Sequence, residues 1–251
     1  MTKDIITVKN LKVAYGDFVL FNDINFSVNE KDIFIIMGAS GCGKSSMLRV
    51  LTGLVTPEQG SVLIDGKDFS KADETAKTEI MKECGVMYQS GALFSSMTLK
   101  ENVAMPLELY SSFSPKEIDE LASYKLALTG LAGFDDFYPS EISGGMKKRA
   151  ALARALALDP KILYCDEPSA GLDPISSKRL DDLIIELNRS LGTTFVVVTH
   201  ELQSIFNIGT NSIYLNSKAK NITGRGNPKE LLKNPPNAEI YEFLTRGTKN
   251  D

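Results

Sequence analysis

The chain has 251 residues, 43% of them apolar and 24% charged, which fits an ordinary globular protein of one large domain or two small ones. A net charge of −4 excludes a general polybasic surface for nucleic acid or anionic lipid; three cysteines and one histidine offer no zinc set and no disulfide framework, as in a reducing cytosol. The N-terminus lacks the charged-then-apolar pattern of a signal peptide and no apolar run approaches the ~18 residues of a membrane span, so a membrane role is expected to come through a partner.

In chain order, IITVKNLKVAY and VLFNDINFSV alternate and predict half-exposed antiparallel strands, whereas IFIIM (Ile33–Met37) is continuously apolar and predicts a buried central strand. A Gly-rich loop follows, then a helix over SSMLRVLTGL, a short strand at SVLIDG, a helix over residues 74–84 and a strand at GVMYQ. From about Ser90 to Leu158 the apolar period becomes helical; Ser114 is the expected N-cap of SPKEIDELASYKLALTGL, with Pro115 in the first turn and Glu117 three residues after the cap. Buried-strand runs return at ILYC and TFVVVT, separated by a helix over SSKRLDDLIIELNRS, and two short helical pieces flank NPP in the tail. Strands alternating with helices indicate a parallel α/β core. The expected organisation is one domain: 1–89 and 159–220 as nucleotide-binding core with an antiparallel β subdomain, 90–158 as a helical subdomain, and 221–251 as a C-terminal tail.

The loop after Ile33–Met37 reads GASGCGKSS and fits G-x-x-x-x-G-K-[ST] from Gly38 to Ser45. Gly38, Gly41 and Gly43 let the backbone curl so that successive N–H groups face a phosphate, and Ala39, Ser40, Cys42 and Ser46 complete the cradle. Lys44 is expected to reach the β- and γ-phosphates of ATP and the Ser45 hydroxyl to ligate Mg²⁺, with the helix N-terminus adding partial positive charge. Amides and Lys44 around Cys42 are also expected to favour its thiolate, so that ATP protects Cys42 from alkylation more than it protects Cys84.

A phosphate loop needs a carboxylate at the end of another core strand to hold magnesium through water, and ILYCDE supplies Asp166. Glu167 follows and would accept a proton from the attacking water. In EISGGMKKRAALARALALDP, Ser143, Gly144 and Gly145 open an alanine-rich helix whose first turns hold Lys147, Lys148 and Arg149. Cations are disfavoured at a helix N-terminus, so an anion is expected there, and the bare amides with the serine hydroxyl form a second triphosphate cradle. One chain with two cradles suits a head-to-tail homodimer with two shared sites. His200 ends a β-branched run; taken alone, it either packs a strand end or touches a reacting group.

Together these motifs resemble the ATP-binding subunits of ABC transporters along nearly the whole chain. The resemblance implies a P-loop NTPase fold with a RecA-like parallel-sheet core, an antiparallel β subdomain and an α-helical signature subdomain. It assigns Tyr15 to stacking on adenine, Gln89 to linking the magnesium site with a transmembrane partner, ISGGM to the LSGGQ signature, SAGLD with Asp173 to the D-loop, and His200 to a switch that contacts the γ-phosphate. Metal contacts would come from Ser45, Gln89 and Asp166, the last through water. Two departures stand out: Ile142 replaces Leu, and Met146 replaces the signature Gln and removes a polar side chain beside the nucleotide.

QSGALFSSMTLKENVAMPL, the methionine-ended signature and LLKNPPNAEIYEFL are similar to ATPases paired with MCE-type lipid transport, especially the Mla phospholipid system of Gram-negative envelopes. That likeness implies an ATP-sandwich dimer on the cytoplasmic face of the inner membrane, beneath two permease copies, with a periplasmic MCE-type lipid-binding protein and a small STAS-like cytoplasmic subunit as further partners. Leu93 and Phe94 would line the groove for a permease helix. An importer or lipoprotein exporter would keep the same motifs. Non-transport members working on iron–sulfur clusters or DNA are disfavoured by the scattered cysteines, the acidic balance and the lack of long heptad insertions.

Overall fold

The computed structural model describes residues 3–246; the expected tail therefore runs five residues beyond the described part, 247–251. The strands are β1 (Asp4–Tyr15), β2 (Phe18–Asn29), β3 (Ile33–Met37), β4 (Gln59–Ile64), β5 (Lys67–Asp68), β6 (Cys84–Met87), β7 (Ile162–Asp166), β8 (Thr194–Val198), β9 (Asn211–Asn216) and β10 (Asn221–Arg225). The helices are α1 (Lys44–Leu51), α2 (Glu74–Lys82), α3 (Leu99–Tyr110), α4 (Pro115–Leu128), α5 (Gly144–Ala155), α6 (Pro174–Leu191), α7 (Leu202–Ile208), α8 (Pro228–Lys233) and α9 (Ala238–Thr245). They group into two compact units, one of residues up to Ile80 with Thr194 onward, the other Met81–Thr193.

In the first unit β2, β1, β4 and β5 form an antiparallel sheet in that order. β1 and β2 alternate buried and exposed residues, as their sequences require, and are joined through Gly16, at φ +58°, with Tyr15 opposite Phe18. β3 lies between β8 and β9 and is parallel to both, with Ile36 opposite Val198 and Ile213. All five residues of β3 and of β8 are buried, which is why both read as unbroken apolar runs. The tail holds the two expected helical pieces, α8 and α9, on either side of NPP, but the strands before them were not foreseen. β9 had no clear signal in SIYLN, and Asn221–Arg225, for which no element was expected, is a strand antiparallel to β9. α9 then docks on β9: Glu239 accepts from the Tyr214 hydroxyl at 3.1 Å and from Asn216 Nδ2 at 2.6 Å, and Phe243 meets the Tyr214 ring edge-on at 5.2 Å.

In the second unit β6 and β7 run parallel, and α3, α4 and α5 pack together. Leu99, Val103 and Leu107 form one stripe, Ile118, Ala122 and Leu126 a second, and Ala150, Ala153 and Ala157 a third, all buried in one core. The i, i+4 spacing puts the first two sets each on one helix face; Ala150 and Ala153, at i, i+3, share a face of α5, and the alanines allow close approach. Each buried Leu or Val contributes about 2 kcal/mol by area. Ser114 caps α4 as its sequence requires, accepting from the Glu117 N–H while the Glu117 carboxylate accepts from the Ser114 N–H at 2.7 Å.

Candidate nucleotide site

At the end of β3 the backbone is shaped for a phosphate. Gly38, Gly41 and Gly43 take φ of +153°, +77° and +99°, which side chains disfavour. A Cβ at Gly38 would stand 2.5 Å from the Leu215 carbonyl oxygen, and one at Gly43 would stand 2.6 Å from the Phe21 ring. α1 begins at Lys44 without a side-chain cap, so no capping side chain competes for the N–H groups of its first turn. Lys44 is buried, and its ammonium donates to the carbonyls of Gly38 (3.0 Å) and Ala39 (3.2 Å). Ala39, Ser40, Gly41 and Ser45 face outward, and Ser46 is half-buried.

Cys42 departs from expectation. It is buried under the loop, where a Gly38 Cβ would lie 2.6 Å from its sulfur. Burial pushes its thiol up, and this outweighs the opposing charge of Lys44 and the backbone amides. The expected thiolate is thus corrected: desolvation wins over the cation. On the adjacent strand β8, Thr199 N–H reaches the Ile36 carbonyl at 3.4 Å, so His200 leaves the same strand edge as the phosphate loop. Its imidazole is exposed, with Nε2 3.8 Å from the Glu201 carboxylate. Tyr15 is 48% exposed at the end of β1.

The second unit presents its own edge. Met87 lies opposite Cys165, so Gln89 and the pair Asp166–Glu167 leave the same end of β6 and β7. Asp166 is half-buried; Glu167 is buried and takes φ +46°, an uncommon conformation for a non-glycine residue. Lys148 is also buried, and its ammonium donates to the backbone carbonyl of Gln89 and, at 3.5 Å, to that of Glu167. Burial pushes the Lys148 pKa down, against the raising effect of Glu167 first, then Cys165 and Asp166.

Ser143 caps α5 by accepting from the Met146 N–H at 3.3 Å, and Ser143 and Gly144 are exposed. The cations near this helix start differ from expectation: Lys148 is spent on carbonyls, and Arg149 donates to the carbonyls of Thr129 (3.3 Å) and Gly130 (2.8 Å) at the end of α4. Backbone oxygens thus supply much of the negative partner that an anion was expected to bring. Ile142 and Met146 both pack into the helical core, so the methionine of the signature has an apolar role. Asp173 caps α6, accepting from Ile175 and Ser176 N–H at 3.0 Å each, and bonds to Ser176 hold its carboxyl below the usual range.

The family model described as ABC transporter matches residues 21–170. The chain belongs to the ABC transporter family. As an ABC ATP-binding subunit it binds and hydrolyses ATP, on an α/β P-loop NTPase fold. It is similar to the probable ribonucleotide transport ATP-binding protein mkl of Mycobacterium leprae, with 39% identity over 95% of this chain and 68% of that protein. It is also similar to the intermembrane phospholipid transport system ATP-binding protein MlaF of Haemophilus influenzae, with 37% identity over 97% of this chain and 91% of that one. Among solved structures, the ATP-binding cassette MJ0796 in a dimeric post-hydrolysis state with ADP and Pi aligns at TM-score 0.79 and 31% identity, over 88% of this chain and 98% of that one.

Around the site of this ABC ATPase, sequence reasoning missed three groups. Lys148 and Arg149 were read only as cations at a helix start that awaits an anion. Arg154, which donates to the carbonyls of Ala92 (2.8 Å) and Gly91 (2.9 Å), gave no signal. Leu93 packs on the helical core, whereas Phe94 is 48% exposed, so the docking expectation divides between them.

Proposed function

We propose that this ABC ATPase works as a head-to-tail dimer that powers phospholipid transport across a bacterial envelope through a membrane permease. The observation that carries this reading is the match to the Haemophilus influenzae MlaF along 97% of the chain and 91% of the relative, together with the methionine-ended signature. The mycobacterial relatives carry a ribonucleotide transport name, but the chain spans only about two thirds of their length.

In each shared site the Gly38–Gly43 amides and Lys44 hold the β- and γ-phosphates, and Tyr15 stacks on adenine. Ser143, Gly144 and Gly145 of a second copy close on the γ-phosphate through the first-turn amides that the Ser143 cap does not engage. Glu167 accepts the proton of the attacking water, and His200 hydrogen-bonds the γ-phosphate and aligns that water. Ser45, Gln89 and Asp166 offer a hydroxyl, an amide oxygen and a carboxylate, a hard oxygen set that suits Mg²⁺. When bound, Mg²⁺ neutralises charge building on the phosphate oxygens. Asp173, as the α6 cap, holds the D-loop for the dimer contact.

No helix among the described residues is long and apolar enough to cross a membrane. The subunit accordingly sits peripherally at the cytoplasmic face of the inner membrane, under two permease copies, with an MCE-type lipid-binding protein and a STAS-like subunit completing the assembly. The test is purification from membranes in detergent, mass spectrometry of bound lipid, and ATP hydrolysis with added phospholipid or ribonucleotide. Permease and phospholipid are expected to co-purify. A complex that lacks phospholipid and responds to ribonucleotide overturns the cargo.

A further inference from the structure

Lys148 stands where two physical effects oppose a cation. It lies in the first turns of α5, where the helix dipole disfavours positive charge, and only 7% of it is exposed. A methionine or leucine would fill the same space without either cost. What an apolar residue lacks is a fixed donor, and Lys148 uses its ammonium to hold the carbonyls of Gln89 and Glu167 together. Those carbonyls belong to the segments that leave β6 and β7, while the lysine itself belongs to the helix opened by Ser143.

The same helix grips the loop after Gln89 at further points. Arg154 holds the carbonyls of Gly91 and Ala92, and a Cβ at Gly91 would lie 3.3 Å from that of Ala151. The segment from Gln89 to Ala92 is therefore fastened along α5 by its backbone. Glu167 is held at φ +46°, where surrounding contacts must fix a non-glycine residue. A bond to its own carbonyl is a direct means of fixing it.

We propose that Lys148 is a positioning residue, which ties the carbonyls of Gln89 and Glu167 to the signature helix and so holds the Glu167 carboxylate in place for the attacking water. The depressed basicity of Lys148 agrees with a cation kept in place despite burial. The assignment rests on the reading of Glu167 as proton acceptor, and it adds the group that holds that acceptor in place.

The experiment compares the full chain with Lys148→Met, Lys148→Arg, Glu167→Gln and the Lys148→Met/Glu167→Gln double variant, measuring kcat and KM for ATP and the affinity for a fluorescent ATP analogue. Lys148→Met is expected to lower kcat roughly 10–100-fold, the scale of a misplaced catalytic group, with analogue affinity and KM within about twofold of the parent. Lys148→Arg, still able to donate to both carbonyls, is expected to recover most of the rate. The double variant is expected to be no slower than Glu167→Gln, because nothing remains to be positioned. Parent kcat in Lys148→Met, a change confined to KM, equal losses in the Met and Arg variants, or additive losses in the double variant each overturn the proposal. If Lys148→Met does not fold, Lys148→Leu, which also lacks a donor, replaces it under the same criteria. Parent-rate hydrolysis by Glu167→Gln overturns instead the reading on which the proposal stands, whatever the Lys148 variants do.

Discussion

At the end of β3 the functional groups are mainly backbone: amides turned inward by Gly38, Gly41 and Gly43, with Lys44 resting on two carbonyls of the same loop. At the end of β7 they are side chains, Asp166 and Glu167, with a buried lysine from another element donating to the Glu167 backbone carbonyl. A site made of backbone is intolerant of added atoms but indifferent to much side-chain chemistry; a site made of side chains is the reverse. Binding should therefore fail when a methyl group is added to the first edge, and turnover should fail when an oxygen is exchanged for nitrogen at the second.

The largest effect expected is at Glu167. Glu167→Gln keeps the shape and removes the proton acceptor, so turnover should fall roughly 10²–10⁴-fold while ATP binding persists. Single-turnover hydrolysis beside an equilibrium binding titration checks both halves. His200 is the side-chain exception on the backbone-built edge, and His200→Ala should lower kcat roughly 10²-fold, the scale for losing one preorganised donor. Hydrolysis at the parent rate would remove the histidine from the switch role and leave that edge purely a cradle. Gly43→Ala tests the steric half: a methyl group aimed at the Phe21 ring, at φ +99°, should weaken nucleotide binding roughly 10–100-fold if strain of about 1–3 kcal/mol falls on the loop. Unchanged affinity would mean that the loop yields and the contrast is weaker than drawn.

Thiol chemistry gives a finer measure of how closed the first edge is. Cys42 is buried with its pKa raised, and Cys84 is pushed up to about 12 by burial. Iodoacetamide at pH 8 should then label neither at an appreciable rate with or without ATP, and both in urea, as read by mass spectrometry. Fast ATP-sensitive labelling of Cys42 would restore the thiolate expected from sequence. The smallest effect is expected away from both edges: Ser114→Ala removes the α4 cap and should cost about 1 kcal/mol. That lowers the unfolding midpoint by roughly 2–4 °C, with kcat unchanged, as thermal unfolding and an activity assay would show.

The first edge was legible because its cause is local. Glycine spacing, one lysine and one serine between an apolar strand and a helix state the whole geometry within eight positions, Gly38 to Ser45. Asp166 and Glu167 were legible for the same reason, as acids directly after a buried run. Lys148 and Arg149 were misread because their partners are carbonyls far along the chain, which no spacing rule encodes. The burial of Cys42 depends on β9, a strand whose short polar-flanked run carries little signal. Asp173 was read only as a D-loop residue of the nucleotide site, and its capping of α6 was overlooked, although Pro174 follows it as a first-turn proline.

The parallel pairing of β3 with β8 and β9 has a consequence in time. β3 ends at Met37, but the strands on its two sides, Thr194–Val198 and Asn211–Asn216, are synthesised last among these neighbours. At a ribosomal pace of about 5–20 residues per second, Ile33–Met37 waits roughly 10–40 s for both of them. During that interval an unpaired run of five apolar residues leads into a glycine loop with no wall behind it. A strand made early is thus paired late, and the phosphate loop that follows it gains its walls only when β8 and β9 have been synthesised.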